Sequence, residues 1–583
     1  MLIATTAGSC LPLQANEGPA NEALLYENTN GMERITVTAS RAEQRLMTLD
    51  SNLSVVSSDE IGFVEHEHIN QLLVRVPGGW VSRGNGQEHL TAIRSPVLTG
   101  AGGCGAFYVA QDGISVRAPG FCNVNQLFDV NSEQAYKVEV LRGPASTLYG
   151  SNAVHGVINV LTPEPKDGIE ELVGVSLGPH EYKRGRFQFG GSQNDHAFMV
   201  YGNLADDGGY KTESGFEQQK LNLIHQYDAG RLSVKNVFAV TNLEQQTAGF
   251  IKGEGSYKDE EKKKHNPNPE AYRDNLTLRA YSQIDYALNL DSSFRVTPYL
   301  RHVKTEFLQH FLPWQPVEVN EQTGLGVQSQ YDFSTQDLNW LVGLDLDLTQ
   351  GSLTEDQPRP FSPSKPQGFH YDYDVEALVL SPFVKGRWQL QESWSVSAGL
   401  RFDYTSYDYS NNLTSGSGCA AEIDNCRFSR PESQEVEFEE FSYQLGSYYA
   451  LNKIHHFYTQ ISTGYRAPQA TELFRLQQGQ LLAELDAEHL NAFELGLRGQ
   501  TDNLFYDVSA FSMVKDDVIF QDTDRQNISG GKTSHKGIEF TARYQWSYGF
   551  YAQLTGTMAK HEYDSAFTLS RDNIKGNDID TAP

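Results

Sequence analysis

The 583-residue sequence has no run of 18 or more apolar residues, and its mean hydropathy is -0.48. A helix that crosses a bilayer needs about 20 consecutive apolar residues, so the sequence excludes a helical membrane protein. It does not exclude a membrane β-barrel, because barrel strands alternate apolar and polar residues and give a weak hydropathy signal. Aromatic residues make up 11% of the chain, which is typical of the girdles that such barrels place at the membrane surfaces.

Positive charge and catalytic motifs are also scarce. Lys and Arg number 46 against 74 Asp and Glu, and the net charge of -28 argues against a nucleic-acid partner. No glycine-rich phosphate loop and no catalytic constellation occur, so we expect neither an enzyme nor a bound cofactor. His66 and His68 lie next to Glu65 and Glu67, but this pattern favours a solvated turn of a surface helix over a metal site.

Cysteine is rare, with five residues in the chain. Cys104 and Cys122 lie 18 residues apart in a glycine-rich region, and Cys419 and Cys426 lie seven apart in a polar segment. Two local pairs predict two disulfides and therefore an oxidising compartment. Cys10 is left over, in a segment that resembles the tail of a secretion signal without its basic start.

The most informative stretch covers residues 138–160 and reads VEVLRGPASTLYGSNAVHGVINV. Strand-forming residues at its two ends flank two breaks that contain glycine and proline, which predicts strand, tight turn and strand. Arg142 stands at the first break, where its guanidinium could fork onto a carboxylate. The wording resembles the end of the plug domain of TonB-dependent outer-membrane receptors. The plug motif of that family would here include Arg142, Gly143, Pro144, Tyr149 and Gly150.

This resemblance extends over roughly residues 33–583 and implies how the chain is divided. A signal remnant and a disordered N-terminus would cover residues 1–32, followed by a TonB-box-like segment at 33–39. The plug domain would cover 40–163, and the transmembrane β-barrel would cover 164–583.

The TonB-box-like segment alternates apolar and hydroxyl side chains, which is typical of a short extended strand. Such a strand could add to the sheet edge of a partner protein by β-augmentation. The resemblance implies that this partner is a periplasmic, TonB-type protein that transmits energy from the inner membrane. The segment consists of Glu33, Arg34, Ile35, Thr36, Val37, Thr38 and Ala39.

The second half of the chain shows the alternation of barrel strands. Trp394, Val396 and Leu400 are apolar and share one parity, whereas Ser395 and Arg401 have the other. We therefore expect the apolar set to face lipid and the polar set to face the lumen. Short polar turns alternate with long polar loops along the chain, which indicates a transmembrane barrel rather than a soluble sandwich.

Counting connections from residue 169 gives roughly 17 antiparallel strands, the last ending near Tyr563. The receptors that the chain resembles close a barrel of about 22 strands around the plug. We therefore expect a mainly β fold in which a transmembrane antiparallel barrel encloses an N-terminal α+β plug. We also expect a truncated C-terminus, so that the first and last strands stay unpaired.

The resemblance implies a receptor in the outer membrane of a Gram-negative bacterium that binds a scarce ligand and imports it into the periplasm. A ferric siderophore is the first expectation, with haem, cobalamin or another organic nutrient as alternatives. A passive porin-like channel or an adhesin is the alternative from another class, although a porin needs neither a plug nor a partner-binding strand. We expect a monomer in contact with outer-membrane lipid.

Candidate ligand contacts lie on the outward loops of the plug, where arginines suit an anionic ligand and aromatic rings suit flat faces. The alternative is that these side chains fill the polar lumen of the barrel. The candidates are Arg83, Asn85, Gln87, Arg94, Phe107, Arg117, Phe121 and Asn123, with Cys104 in the same region.

Overall fold

The computed structural model describes residues 36–37, 41, 44–97, 105–121, 125–547, 550–565, 568–569 and 572–583. Most of the TonB-box-like segment, both members of the Cys104–Cys122 pair, and Asn123 lie outside these ranges. Their roles therefore stay predictions.

The N-terminal part of the chain forms a small α+β domain, the plug. Its strands are β1 (Thr36–Val37), β2 (Gln44–Arg45), β3 (Leu53–Ser57), β4 (Gly79–Arg83), β5 (His89–Ile93), β6 (Phe107–Gln111), β7 (Ile114–Ser115), β8 (Lys137–Arg142) and β9 (Gly156–Leu161). Its helices are α1 (Ser58–Val64), α2 (Asn70–Leu73) and α3 (Ser146–Tyr149). The central sheet has the order β3-β8-β9-β6-β7, in which β6 and β9 are parallel and the other neighbours antiparallel.

Local sequence explains how the plug elements begin and where they pack. Helix α1 starts at a capping box, in which the Ser57 hydroxyl accepts from the Glu60 amide and the Glu60 carboxylate accepts from the Ser57 amide. Apolar residues of the sheet and of α1 and α2, such as Val140, Ile158 and Leu72, form one buried core.

In the described part of the chain, no helix is long and apolar enough to cross a membrane.

The stretch at residues 138–160 forms β8, the one-turn helix α3 and β9. The expected tight turn is therefore wrong, since a helical turn stands between the strands. The positions before and after this helical turn have positive φ, 89° at Gly143 and 70° at Gly150. Glycine occupies both because other residues rarely adopt such a backbone conformation.

The rest of the chain is dominated by one antiparallel sheet, the barrel. The strands are β10 (Ile169–Leu177), β11 (Lys183–Gln193), β12 (His196–Asp207), β13 (Phe216–Ala229), β14 (Leu232–Gln245), β15 (Arg273–Ala287), β16 (Ser292–Leu308), β17 (Val317–Ser334), β18 (Leu338–Gln357), β19 (Gly368–Gln391), β20 (Trp394–Asn411), β21 (Gly416–Ser417), β22 (Phe428–Arg430), β23 (Gln434–Ala450), β24 (His455–Arg466), β25 (Leu476–Gln477), β26 (Glu488–Gln500), β27 (Leu504–Gln521), β28 (Asn527–Gln545), β29 (Tyr551–Tyr563), β30 (Thr568–Leu569) and β31 (Asp572–Asn573). One short helix, α4 (Ala470–Phe474), lies between β24 and β25.

Seventeen of these strands pair in chain order from β10 to β29, which confirms the expected strand number. Within the described residues, no ladder joins β10 to β29, so the sheet has two free edges as expected. Strands β21, β22 and β25 form a separate small sheet made by two long loops, and β30 pairs with β31.

The two faces of the barrel have the expected polarity. The outward face of a strand is the one directed away from the plug. Trp394 and Leu400 are 38% and 58% exposed on this face, whereas Ser395 and Arg401 are 1% and 4% exposed toward the lumen. The prediction of apolar outer and polar inner positions is therefore confirmed for this strand.

The expected Cys419–Cys426 disulfide is present, with an S–S distance of 2.07 Å. It closes the loop between β21 and β22, which belong to the small sheet on the long-loop side. The bond therefore restrains a loop that lies over the plug rather than a membrane strand.

Candidate ligand chamber above the plug

Two plug arginines hold the plug inside the barrel. Arg94 donates to Glu494 of β26 over 2.8 Å and to Glu539 of β28 over 2.6 Å. Arg142 donates to Glu539 over 2.7 Å and also binds Asn52 of the plug. Arg142 thus makes the carboxylate contact expected from its position at the chain break.

These charged groups are buried away from water, so the free energy of burying them depends on whether each has an oppositely charged partner. Burial alone would lower the pKa of Arg94, but Glu494 and Glu539 raise it well above its ordinary value. Breaking one partner of a buried ion pair leaves an uncompensated charge, which costs far more than losing a surface pair. The cluster therefore fastens the plug to strands β26 and β28 of the barrel.

Two of the sequence-predicted ligand arginines are engaged within the lumen. Besides Arg94, Arg117 donates to Asp129 over 3.1 Å and to Asn275 of β15 over 3.1 Å. Both guanidiniums are nearly fully buried. This is the lumen-filling arrangement that the sequence left open, and ligand contact by these two residues stays a prediction.

The remaining candidates have different surroundings. Asn85 donates to the Ala248 carbonyl over 2.5 Å, and the Gln87 side chain donates to the Glu67 carbonyl over 3.0 Å. Phe107 packs against the plug core, and Arg83 is exposed. Of the described candidates, Phe121 alone enters the aromatic cluster on the long-loop side.

We call this cluster of packed side chains the ligand chamber, since it is the candidate ligand site that we consider. Phe121 at the plug tip packs there with rings from the barrel strands and from α4, whose first amide, at Ala470, donates to the Gly120 carbonyl over 2.9 Å. Tyr409 stacks on Phe474 with 4.1 Å between ring centroids. The chamber rings are Phe121, Trp314, Tyr371, Tyr373, Tyr407, Tyr409, Phe428 and Phe474.

Several polar atoms of the chamber are buried without a hydrogen-bond partner among the described residues. They are Trp314 Nε1, Tyr373 OH and Tyr407 OH. A buried polar group without a partner costs about 1–3 kcal/mol, so a ligand that supplied the partner would recover that free energy. Two of the three are hydroxyls, which can donate to acceptor oxygens.

Cations with no described carboxylate partner border the same rings. The Arg427 guanidinium lies 4.6 Å from the centre of the Trp314 ring, and Lys365 Nζ lies 5.2 Å from it. Burial lowers the pKa of Arg427, and the neighbouring Arg525 cation lowers it further. Arg430 donates to the backbone carbonyl of His370 over 2.8 Å instead of to a carboxylate. The positive charge at the chamber rings is therefore not neutralised by an ion pair among the described residues.

One loop cation at the chamber is already paired. Arg475, directly after α4, binds Glu318 over 2.9 Å and also binds Glu355. Its guanidinium lies 5.8 Å from the centre of the Tyr371 ring. Strand β25, which comes next in the chain, pairs with β22, so the loop that carries α4 and the disulfide-closed loop are joined through one small sheet.

The chamber residues outside the plug were not found from sequence. Trp314, Tyr373 and Arg427 belong to long loops or loop-side strand ends of different hairpins. Their only sequence signal is the richness of the loops in aromatic residues and arginine. Which of these side chains meet is decided by the sheet that brings their loops together.

His66 and His68 do not lie on a solvated surface, so that expectation is wrong. They are 1% and 0% exposed, and His66 Nε2 lies 2.9 Å from the Ser132 hydroxyl. His68 Nε2 lies 3.0 Å from the Glu88 carbonyl. No group of three or more His, Cys, Asp or Glu residues among those described could hold a metal ion.

These two histidines make plug stability depend on pH. Burial lowers the pKa of His66 and of His68 to about 4, against about 6.5 in an unfolded chain. The unfolded state therefore binds more protons between these values, and stability present above pH 6.5 is lost as pH falls to about 4. For one histidine the loss is about 3 kcal/mol.

We expect the thermal unfolding midpoint of the purified protein to decrease when the pH is lowered from 7.5 to 4.5. The His66→Gln variant should show a smaller decrease. His180→Gln, at an exposed loop position, is the matched control and should leave it unchanged. Equal pH profiles for the wild type and His66→Gln would contradict the assignment.

Comparison with known proteins agrees with this architecture. The model of the TonB-dependent receptor plug domain matches residues 45–157, and the model of the TonB-dependent receptor-like β-barrel matches residues 181–583. The vitamin B12 transporter BtuB of Vibrio vulnificus (strain CMCP6) is 30% identical over 186 residues. That match covers 32% of this chain and 29% of BtuB, so it spans less than a third of the relative.

Solved structures share the fold at low sequence identity. The ferric yersiniabactin uptake receptor FyuA from Yersinia pestis is similar with a TM-score of 0.70 and 17% identity, over 91% of this chain and 81% of FyuA. The siderophore receptor PiuA from Acinetobacter baumannii is similar with a TM-score of 0.73 and 14% identity, over 93% and 84%. Because the barrel model alone matches more than half of the sequence, the chain belongs to the TonB-dependent receptor family.

Proposed function

We propose that this chain is an outer-membrane receptor that binds a ferric siderophore in the ligand chamber and imports it into the periplasm with energy from a TonB-type partner. The observation that carries the proposal is the chamber itself, in which unpaired cations and unpartnered hydroxyls border aromatic rings. A negatively charged iron chelate offers acceptor oxygens to the hydroxyls, negative charge to Arg427 and flat groups to the rings.

Cobalamin is the second candidate, because the BtuB match covers about a third of the chain. The unpaired charges separate the two ligands. Arg427 and Arg430 gain from an anionic chelate, whereas a ligand without net negative charge leaves their desolvation uncompensated. The chamber therefore favours the anionic chelate.

A passive porin-like channel is disfavoured by the way the plug is held inside the barrel. The plug occupies the lumen and is fastened across it by the buried pairs of Arg94 and Arg142. Passage past such a plug requires that these pairs rearrange, for which an energised partner supplies the work.

Charge reversal at Arg427 tests the ligand class. We expect Arg427→Glu to weaken binding of an anionic ferric siderophore about ten-fold or more, because one charge-assisted contact is worth at least about 1.4 kcal/mol. The measurement is quenching of tryptophan fluorescence in the detergent-purified receptor, titrated with a panel of ferric catecholate, hydroxamate and carboxylate siderophores and with cobalamin.

Lys252→Glu is the matched control, since it makes the same charge change at an exposed position in another long loop. It should leave the affinity unchanged. Cobalamin binding without siderophore binding, or equal effects of the two variants, would overturn the siderophore assignment.

A further inference from the structure

The outer face of the barrel carries a polar row within an apolar surface. The row crosses β13, β14 and β15 through the paired positions His225, Asn236 and Ser282. The neighbouring row on the turn side contains Tyr227, Val234 and Ile284 at the next outward positions of the same strands. Polar side chains between apolar rows are unusual on a lipid-facing surface, where each unsatisfied group is costly.

The polar row is internally hydrogen-bonded and contacts His196 of β12 diagonally, since His196 pairs with Tyr227 in the turn-side row. Ser282 Oγ donates to Asn236 Oδ1 over 2.6 Å, and Asn236 Nδ2 donates to His225 Nδ1 over 3.1 Å. With Nδ1 accepting, His225 carries its proton on Nε2, which lies 3.0 Å from His196 Nδ1. His196 then carries its own proton on Nε2. This N–H and the second N–H of Asn236 are left to donate outward.

The polar row lines one side of an apolar depression of about 1180 Å³. The small residues Gly191 and Ala280 are part of its lining, and Pro298 lies where the ladder between β15 and β16 is interrupted. Its wall is the apolar row of Phe189, Leu223, Phe238, Leu300 and Leu325, at the outward positions next to the polar row on the side away from the short turns.

The order of the two features relative to the membrane selects one kind of occupant. His225 is four residues from the end of β13, and Asn236 is four residues from the start of β14. At 3.3 Å per residue and the usual strand tilt, the polar row lies about 10 Å from the short turns, which face the periplasm. The apolar wall of the depression, which includes Leu223 and Phe238, lies two residues farther from the turns and therefore closer to the bilayer centre.

We propose that this surface is a specific binding site for one glycerophospholipid of the periplasmic leaflet. The outward donors of His196 and Asn236 bind its phosphate or ester oxygens, and one acyl chain fills the depression. A lipid of the opposite leaflet has its polar and apolar parts in the reverse order and does not match. The assignment goes beyond ligand import but rests on the proposed membrane location.

The test is native mass spectrometry of the delipidated, detergent-purified receptor titrated with palmitoyl-oleoyl-phosphatidylethanolamine. We expect one lipid to bind the wild type, and Ala280→Trp, which fills the depression, to lower the bound fraction at least ten-fold. Ala398→Trp is the matched control, since it places the same ring at an outward alanine of β20 outside the depression. Asn236→Leu tests the donor row separately, and we expect a similar loss.

Equal binding by wild type, Ala280→Trp and Asn236→Leu would overturn the site. So would preferential binding of lipid A, or a dimer mass that disappears in Ala280→Trp, because the surface would then bind an outer-leaflet lipid or a second copy. Siderophore titration of the same samples separates the two proposals. Loss of lipid with normal ligand affinity leaves the receptor function intact.

Discussion

Proline in place of Val37 is expected to reduce energy-dependent uptake to background while ligand binding at the cell surface persists. The segment at residues 33–39 is proposed to pair as an added strand with a TonB-type partner. Proline removes a backbone donor from such a strand and disturbs its pairing. Val37 is paired with Gln44 in the isolated chain, so this edge must be released before a partner can use it.

The measurement is time-resolved uptake of radiolabelled iron or cobalamin beside equilibrium binding to whole cells. Val37→Ile, which keeps the N–H and the β-branch, should transport normally. Asn30→Pro places the same proline outside the segment and should also transport. Normal uptake by Val37→Pro would remove the assignment of residues 33–39 as the partner-binding strand.

Replacing Glu539 by alanine is expected to destabilise the plug within the barrel by about 3–5 kcal/mol. Glu539 receives hydrogen bonds from both Arg94 and Arg142, and all three side chains are nearly fully buried. Its loss leaves Arg142 without a carboxylate and Arg94 with Glu494 alone. The Glu539 carboxylate therefore contributes much more to the stability of the plug in the barrel than an exposed carboxylate does.

Two readouts check this expectation. The thermal midpoint of the purified protein should fall, and cells should admit a glycopeptide antibiotic too large for ordinary porins. Glu376→Ala, at an exposed carboxylate of β19, is the control and should change neither. A Glu539→Ala protein with wild-type midpoint and wild-type exclusion of the antibiotic would show that the cluster does not hold the plug.

The architecture could be predicted from the sequence because its signals are local. Alternation at every second residue specifies which face of a strand is apolar, and Trp394, Ser395 and Leu400 lie as that pattern predicts. Alternating short and long polar connections gave the strand number, and seven-residue spacing gave the Cys419–Cys426 disulfide. Each of these signals is contained within a few tens of residues.

Whether each polar side chain is paired or free was decided by the tertiary structure alone. Arg94 and Arg427 are both arginines in glycine- or cysteine-containing loops, and nothing in their neighbourhood separates them. The partners of Arg94 lie 400 and 445 residues away, and they neutralise it in the lumen. Among the described residues no carboxylate forms an ion pair with Arg427; Glu355 acts on it only from a distance, and the guanidinium lies against the Trp314 ring.

The same reason explains the buried histidines and the polar row on the outer face. His66 lies among charged residues that look solvated in sequence, but the barrel closes over it and Arg184 donates to its carbonyl. His225, Asn236 and Ser282 are isolated polar residues in three strands until register aligns them. The sequence alone therefore determined strands, faces and family, because these depend on short-range pattern. Pairing across the barrel decided which charges are free to bind a ligand, because burial and partner distance depend on residues hundreds of positions apart.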